Sequence, residues 1–274
     1  MLRKRCLTLL AVAMMCVLPA ANAISFFQGF EDDISGWDVF NSAWHPTRVA
    51  SGTNGITSAS GDWHAEARPL LPNTVGYAGT DWGGYRDVFP PPGYWTRTDI
   101  YLDTSHAGDK VRFDYVSAIN NTSGEERREF VFNVGLYRDV AGGPGEFWIA
   151  ASNKDFNLSS PKNPARDPFS ITDPGWYTFE HFFYDGGSGV LAVDLSIYNG
   201  GGGLLNTWTI SNTTDIIGST VGGNRYGWIT NSEFDFLAFD NTQLAVVPEP
   251  GTLALFGLGL AGFAGKVARR RRRA

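Results

Sequence analysis

The sequence predicts an all-β protein whose body, residues 24–245, is a single antiparallel β-sandwich of the jelly-roll type. Short alternating or aromatic-rich runs are separated by clusters of Gly, Pro, Asn and Asp, and no convincing amphipathic helix interrupts them. In the segment VRFDYVS, for example, Val111, Phe113 and Tyr115 share one face of a strand, and the charged residues between them share the other. Roughly ten to thirteen such strands favour two packed sheets.

The first 23 residues have the three parts of a secretory leader. Three basic residues, Arg3, Lys4 and Arg5, precede an apolar helical segment at 7–18, and Ala21-Asn22-Ala23 forms an A-x-A cleavage site. We expect signal peptidase to cut after Ala23, so that the exported chain begins at Ile24. Cys6 and Cys16 both lie in this leader, which leaves the body without a disulfide, a thiol nucleophile or a cysteine zinc site.

Eight runs of the body carry the strand pattern most clearly. They occupy residues 94–103, 110–118, 129–137, 146–152, 176–184, 190–198, 204–210 and 236–244. Asn199 and four following glycines join two of these runs and supply the positive φ angles of a tight turn, which predicts a hairpin. No linker, repeat or low-complexity block interrupts the body, which favours one domain.

The passage at 176–210 resembles part of the concanavalin-like and laminin-G-like sandwiches. In those folds a strand that begins with Trp precedes a hairpin with an alternating V-x-L pattern, as Trp176 and the hairpin after it do here. The resemblance covers about 35 residues and implies a jelly roll, but it implies no activity.

Charge is distributed unevenly along the chain. Three of the 22 Lys and Arg residues lie in the leader and six in the C-terminal tail, so 13 remain in the body, which holds 27 of the 28 Asp and Glu residues. The resulting net charge of about −14 repels phosphate backbones and anionic lipids, which argues against a nucleic-acid partner. It is compatible with divalent cations and neutral glycans.

Few residues of the body form a catalytic motif. His64 and Glu66 share one face of the WHAE segment, as an acid–base pair or half of a metal site would, but no second ligand cluster accompanies them. His181 alternates with Phe179 and Phe183, which predicts a buried histidine. A nucleophile elbow and a phosphate-binding loop are both missing from the sequence, so we predict no catalytic residue.

The two ends of the body resemble those of carbohydrate-binding jelly rolls. A G-F-E strand and an S-G-W turn open it, and a D-N-x-x-L strand closes it. In such modules the first and last strands are neighbours and often hold a structural calcium ion. The resemblance implies Glu31 and Asp240 as calcium ligands, and carboxylate oxygens suit this hard cation.

Aromatic residues beside glycines suggest a glycan-binding surface. Nine Trp and ten Tyr occur in the chain, and sugar rings stack on such side chains when they are exposed. Trp82 and Tyr85 in GTDWGGYRDVF are our preferred contact residues, because the surrounding glycines suggest exposure.

The tail, residues 246–274, consists of Pro248-Glu249-Pro250, an apolar glycine-rich segment and five terminal arginines at 269–273. The apolar segment at 253–265 is shorter than the roughly 20 residues of a stable membrane helix, so only transient anchoring in the inner membrane is expected. Residues 247–262 resemble the PEP-CTERM sorting signal almost residue for residue. That resemblance implies that an exosortase, a membrane-embedded protease and transpeptidase, reads the Pro-Glu-Pro motif and then releases or re-anchors the body.

These features predict an exported protein of the cell surface or extracellular matrix with a non-catalytic binding or structural body. An extracellular polysaccharide is the preferred partner. Two alternatives remain open from the sequence. One is a glycan-active lyase or glycosidase that uses acids with His64 or His181, and the other is an inert matrix protein.

Overall fold

The computed structural model describes residues 23–37, 46–68, 76–108, 111–140, 142–153, 160–231 and 234–247. These residues belong to one compact unit, Ala23–Val247. The helices expected in the leader and in the tail lie outside the described residues, as do Ala21 and the Pro248-Glu249-Pro250 motif. Within the described ranges, none of the helices has the length and apolar character needed to cross a membrane.

The described residues form fourteen strands and two short 3-10 turns. The strands are β1 (Ala23–Gln28), β2 (Thr47–Ala50), β3 (Trp63–Ala67), β4 (Gly76–Thr80), β5 (Gly93–Leu102), β6 (Val111–Asn120), β7 (Glu126–Tyr137), β8 (Glu146–Ser152), β9 (Phe169–Ile171), β10 (Gly175–Asp185), β11 (Val190–Asn199), β12 (Leu204–Ile216), β13 (Asn224–Asn231) and β14 (Leu237–Val246). The 3-10 turns are at Thr53–Gly55 and Pro164–Arg166.

The strands form two antiparallel sheets, which confirms the predicted β-sandwich. The larger sheet has the order β12-β11-β10-β5-β14-β3-β2, with β1 also paired to β14, and the smaller has the order β4-β13-β6-β7-β8-β9. The predicted hairpin is present as β11 and β12, with Tyr198 opposite Leu204. The structure has fourteen strands where ten to thirteen were predicted, and the short strands β2, β4 and β9 are among those outside the eight clearest runs.

The hydrophobic core lies between the sheets and takes alternate residues from each strand. Val111, Phe113 and Tyr115 of β6 are buried, as their alternation predicts. Phe179 of the opposite sheet packs edge-on against the rings of Phe113 and Tyr115. Burial of such a side chain contributes about 2–3 kcal/mol, so these aromatic contacts stabilise the pairing of the two sheets.

Strand β14 connects the two ends of the body. It pairs with β5 along one side, while β3 and β1 pair with successive parts of the other side. The β14–β5 register shifts between Asp240 and Gln243, and Asn241 there has a positive φ of 48°, which marks a β-bulge. The first and last strands of the body are therefore neighbours, as the resemblance to carbohydrate-binding jelly rolls implies.

Candidate functional site

The outer face of the larger sheet carries a row of polar side chains across five strands. The strand registers place Gln243, Arg97, Glu180, Ser196 and Thr207 side by side on β14, β5, β10, β11 and β12. We call these five residues the polar row. Their neighbours in sequence on β5 and β10, such as Thr98 and His181, point into the core, so the alternation of the strands determines which side chains reach the outside.

Arg97 is the centre of the polar row. Its guanidinium forms an ion pair with Glu180 and lies 4.0 Å from the centroid of the Trp95 ring. The hydroxyl of Tyr198 donates a hydrogen bond to the other oxygen of Glu180 at 3.0 Å. Arg97 remains 35% exposed, whereas the Glu180 side chain is 8% exposed. The pair therefore fixes a guanidinium at the surface with a buried carboxylate beneath it.

Partly exposed aromatic rings lie beside the polar row. Phe182 and Tyr184 of β10 stack with their centroids 5.0 Å apart, and Tyr198 of β11 lies on the other side of the row. Burial raises the pKa of the Tyr198 hydroxyl, and Glu180 adds to this effect, so the group stays protonated as a hydrogen-bond donor. We call the polar row together with these rings and Trp95 the outer-face site. It can offer stacking surfaces and several hydrogen-bonding groups to a ligand.

The two predicted calcium ligands are linked by one loop. The backbone N–H groups of Asp62 and Trp63 donate to the carboxylate of Glu31 at 3.0 and 3.2 Å. From the same loop, the N–H of Ser60 donates to Asp240 Oδ2 at 3.2 Å. The loop between β2 and β3 thus connects the segment after β1 to the bulge of β14, and it accounts for part of the polar contacts of both carboxylates.

Asp240 is a buried carboxyl group without a basic partner among its described hydrogen bonds. Its side chain is 0% exposed, and burial raises its pKa to about 7 from the ordinary 3.8, with further increases from nearby Asp99 and Glu31. Its described donors are the backbone N–H groups of Ser60 and Asn241. A buried carboxyl of this kind fits a hard cation in its chemistry. Among the described residues, however, no group of three or more His, Cys, Asp or Glu side chains is arranged to hold a metal ion.

His64 and Glu66 share one face of β3, as the WHAE pattern predicts, and both are fully buried. His64 Nε2 lies 3.9 Å from Glu66 Oε1, while His64 Nδ1 is 3.0 Å from the Ser58 hydroxyl. Burial lowers the pKa of His64, opposed by the charge of Glu66. The carboxylate of Glu66 is already paired with Arg68 and accepts a bond from Asn54 at 2.8 Å. The contacts with Ser58 and Glu66 hold His64 as a neutral, buried side chain beneath the loop between β2 and β3.

His181 lies in the core, in agreement with the sequence prediction. It is 0% exposed, its ring contacts Tyr115 and Phe132, and neither of its nitrogens has a hydrogen-bond partner among the described residues. Burial lowers its pKa to about 3, against a small opposing effect of the nearby Phe130 backbone. This position keeps it away from both outer faces of the sandwich.

The exposure expected for Trp82 is wrong. Its side chain is only 2% exposed, because the indole packs against Gly227 of β13 and meets the ring of Phe26 edge-on at 6.3 Å. Tyr85, three residues later, is 44% exposed and has Arg225 5.1 Å from its ring centroid. The glycines near Trp82 form the turn that directs the ring inwards. A role in glycan contact stays a prediction for Tyr85.

The residues of the outer-face site were not selected from the sequence. Alternation in the run at 94–103 places Arg97 and Trp95 on one strand face. The neighbours of that face on β10 and β11, Glu180 and Tyr198, depend on registers that no local pattern specifies.

Comparison with known proteins identifies the tail. Residues 246–273 match the PEP-CTERM protein-sorting motif. This motif implies export to the cell envelope or surface and processing by an exosortase, a membrane protease. The comparison with curated proteins found no match to this chain.

Solved structures of similar fold include both enzymes and lectins. The PL-14 alginate lyase of Aplysia kurodai has a TM-score of 0.42 at 11% identity, with 73% of this chain and 87% of that chain covered. The endo-β-1,4-glucuronan lyase of Trichoderma reesei has a TM-score of 0.42 at 8% identity, with 82% and 96% covered. A legume lectin-like domain from Entamoeba histolytica has a TM-score of 0.38 at 8% identity, with 68% and 84% covered. Likeness at this level transfers no activity and no ligand to this chain.

Proposed function

We propose that this exported, PEP-CTERM-sorted protein is a non-catalytic glycan-binding module of the cell surface or extracellular matrix. The observation that supports the proposal is the outer-face site, where a row of hydrogen-bonding side chains crosses the sheet between partly exposed aromatic rings. Polysaccharides present ring faces and hydroxyl groups, which match these two kinds of contact.

The charges at the outer-face site favour a neutral glycan over an acidic one. Arg97, the cation of the polar row, is already paired with Glu180. Asp194 lies nearby and accepts hydrogen bonds from Tyr184 and Thr209 at 3.2 and 2.6 Å. Since the body is also strongly acidic, uronate groups would meet like charges here.

The length of the polar row suits a linear chain. Five adjacent strands are separated by four spacings of about 4.8 Å, so the row extends over roughly 19 Å. A short stretch of polysaccharide that runs across the strands would meet the partly or fully exposed members of the row, Gln243, Arg97 and Thr207, while Glu180 and Ser196 lie buried beside them. The side chains of the row are held by strands and by one another, which reduces the entropy lost on binding.

A structural calcium ion at Glu31 and Asp240 belongs to the same proposal. Asp240 and Glu31 would be the charged ligands, and the ion would supply positive charge to a buried carboxyl that lacks a described basic partner. Its role would be to fasten the loop between β2 and β3 to the bulge of β14, not to take part in chemistry.

A glycan array tests the binding proposal directly. The span 24–247, which contains the described strands except for the first residue of β1, should bind neutral polysaccharides. Tyr198→Ala or Phe182→Ala should weaken this binding at least tenfold, whereas Val140→Ala, at an exposed apolar residue between β7 and β8, should leave it unchanged. Equal loss in all three variants would contradict the assignment of the site.

A reducing-end release assay separates the alternatives. Turnover of a bound glycan would favour the lyase or glycosidase, and absence of both binding and turnover would favour an inert matrix protein. Binding without turnover is the expected result.

The sorting prediction has its own test. Replacement of Pro248, Glu249 and Pro250 by alanine should leave the tail attached to the exported protein in its own host. Mass spectrometry of the mature C-terminus measures this, and an unchanged C-terminus would refute recognition of the motif by exosortase.

A further inference from the structure

The edges of the two sheets differ sharply in length. In the described part of the chain, four strands with an open edge are short: β9 has three residues, β2 four, β4 five and β1 six. The fifth, β12 at the end of the larger sheet, has thirteen residues. Short edge strands offer few backbone N–H and C=O groups to another chain. Strand β12 does not have this protection.

Strand β12 also lacks the residues that usually protect a long edge. No Asp, Glu, Lys, Arg or Pro occurs between residues 195 and 214, although the body is rich in acids. The next charged residue, Asp215, is 1% exposed and is paired with Arg127 and Arg128. Antiparallel pairing of two copies of β12 would therefore bring no like charges together on this strongly acidic protein.

Side chains of β12 leave apolar surface at the margin of the core. Trp208 and Ile210 pack against the core but are only partly buried, and Leu204 is 59% exposed. On the outer face, Thr207 and Thr209 are exposed. In the described part of the structure, β12 pairs with β11 alone. The carbonyl of Thr214 already accepts hydrogen bonds from Arg127 and Thr220 at 3.0 and 2.8 Å. A second strand beside the earlier part of β12 would cover the apolar margin and satisfy the open backbone groups there.

We propose that β12 is a self-association edge through which two copies of this chain form a dimer. The strands would pair antiparallel around a two-fold axis near Thr209, the centre of the uncharged segment, and continue the larger sheet across both copies. The regular ladder of β12 with β11 comprises the six residues Asn206 to Ser211, which span roughly 20 Å. Because it supplies fewer residues than the 20–30 a side of a standard interface, the dimer should be reversible, with a dissociation constant of about micromolar.

The geometry of this dimer has a consequence for ligand binding. The two-fold axis of an antiparallel strand pair runs perpendicular to the sheet, so the outer faces of both copies point in the same direction. Two outer-face sites on one continuous sheet could bind the same polysaccharide, which increases the apparent affinity without a new contact. Dimerisation itself does not depend on the proposed glycan function.

Sedimentation velocity across a concentration series tests the proposal on the span 24–247. The wild type should shift from monomer to dimer in the micromolar range. Thr209→Lys should raise the dissociation constant at least tenfold, because two lysines would lie opposite each other. Thr172→Lys, a matched change in the exposed turn between β9 and β10, should leave it unchanged. If Thr209→Lys does not fold by circular dichroism, Thr207→Lys replaces it.

Amide hydrogen exchange locates the interface. The open-edge amides of β12 should exchange more slowly at concentrations where the dimer forms, while those of β2 should not change. The proposal is overturned if the wild type stays monomeric far above micromolar concentration. It is also overturned if a dimer forms that is insensitive to lysine on β12.

Discussion

Replacing Asp240 by asparagine should change stability in a manner that depends on pH. The carboxyl is fully buried, and its pKa is about 7 in the folded protein against an ordinary value of 3.8. The folded state therefore keeps this proton between pH 4 and 7, where the unfolded chain has lost it. The resulting stabilisation is complete below about pH 4 and is lost as the pH rises to 7. Three pKa units at 1.36 kcal/mol each correspond to an upper limit of about 4 kcal/mol.

Asparagine cannot ionise, so it should not suffer this loss. Its amide accepts from only one of the two backbone donors, Ser60 or Asn241, which costs about 1 kcal/mol. With chelator present, Asp240→Asn should match the wild type within about 1 kcal/mol at pH 4 and exceed it by up to about 3 kcal/mol at pH 8. Urea unfolding from pH 4 to 8 measures the difference.

The control is Asp32→Asn, an exposed change of the same charge in the segment after β1. Its difference from the wild type measures the effect of removing one exposed carboxylate at each pH. If the stability difference between Asp240→Asn and the wild type depends on pH no more than that of Asp32→Asn, the buried-charge reasoning is refuted. All other titrating groups are the same in Asp240→Asn and the wild type, so their contributions cancel in the difference.

The same pair of proteins tests the calcium proposal. At pH 8, calcium at 100 times its dissociation constant should stabilise the wild type by about 2.7 kcal/mol and should leave Asp240→Asn unchanged. If calcium has no effect on the wild type, the cation proposal fails while the pH prediction in chelator still stands.

Two further variants probe the core. The pKa of His181 is lowered to about 3 from 6.5, so the unfolded chain binds a proton between pH 7 and pH 4 that the folded protein does not. Through this residue the wild type should lose about 3 kcal/mol of unfolding free energy over that range. His181→Phe should not show this loss, and urea unfolding at both pH values measures the difference. A Cβ on Gly227 would lie 2.2 Å from Trp82 Cζ2, so Gly227→Ala should lower the free energy of unfolding by about 1–3 kcal/mol, as thermal unfolding would show. Gly201→Ala, in the hairpin turn, should lower it little. Equal melting temperatures for the two alanine variants would contradict the packing of Trp82.

The elements predicted correctly depend on information contained within about ten residues. Alternation in β6 determines that Phe113 and Tyr115 are buried, and the run of glycines after Asn199 determines the β11–β12 turn. His181 was placed in the core by the same reasoning, from its two phenylalanine neighbours in β10. Periodicity of this kind requires no knowledge of the rest of the chain.

Trp82 shows where local information fails. The glycines that follow it suggested a flexible, exposed ring, but Trp82 itself has a positive φ of 59° that turns the side chain inwards. The space for the indole is provided by Gly227, which is 145 positions later in the chain. The glycines near Trp82 indicate that the backbone turns there. Whether the Trp82 side chain is buried depends on β13, a strand that lies far away in the sequence.

The outer-face site combines both kinds of information. The pattern of β5 alone requires Arg97 to lie outside, because a shift of one residue would move its charge into the core and expose Ile100 and Leu102. Burial of alternate residues on β10 likewise requires the neighbour of Arg97 to come from the outward-facing set of that strand, and the register of the two strands selects Glu180 from this set. The burial of the inner face therefore determines which side chains can lie on the outer one. Mutations that shift the register of β5 or β10 should abolish ligand binding even where every side chain of the polar row is retained.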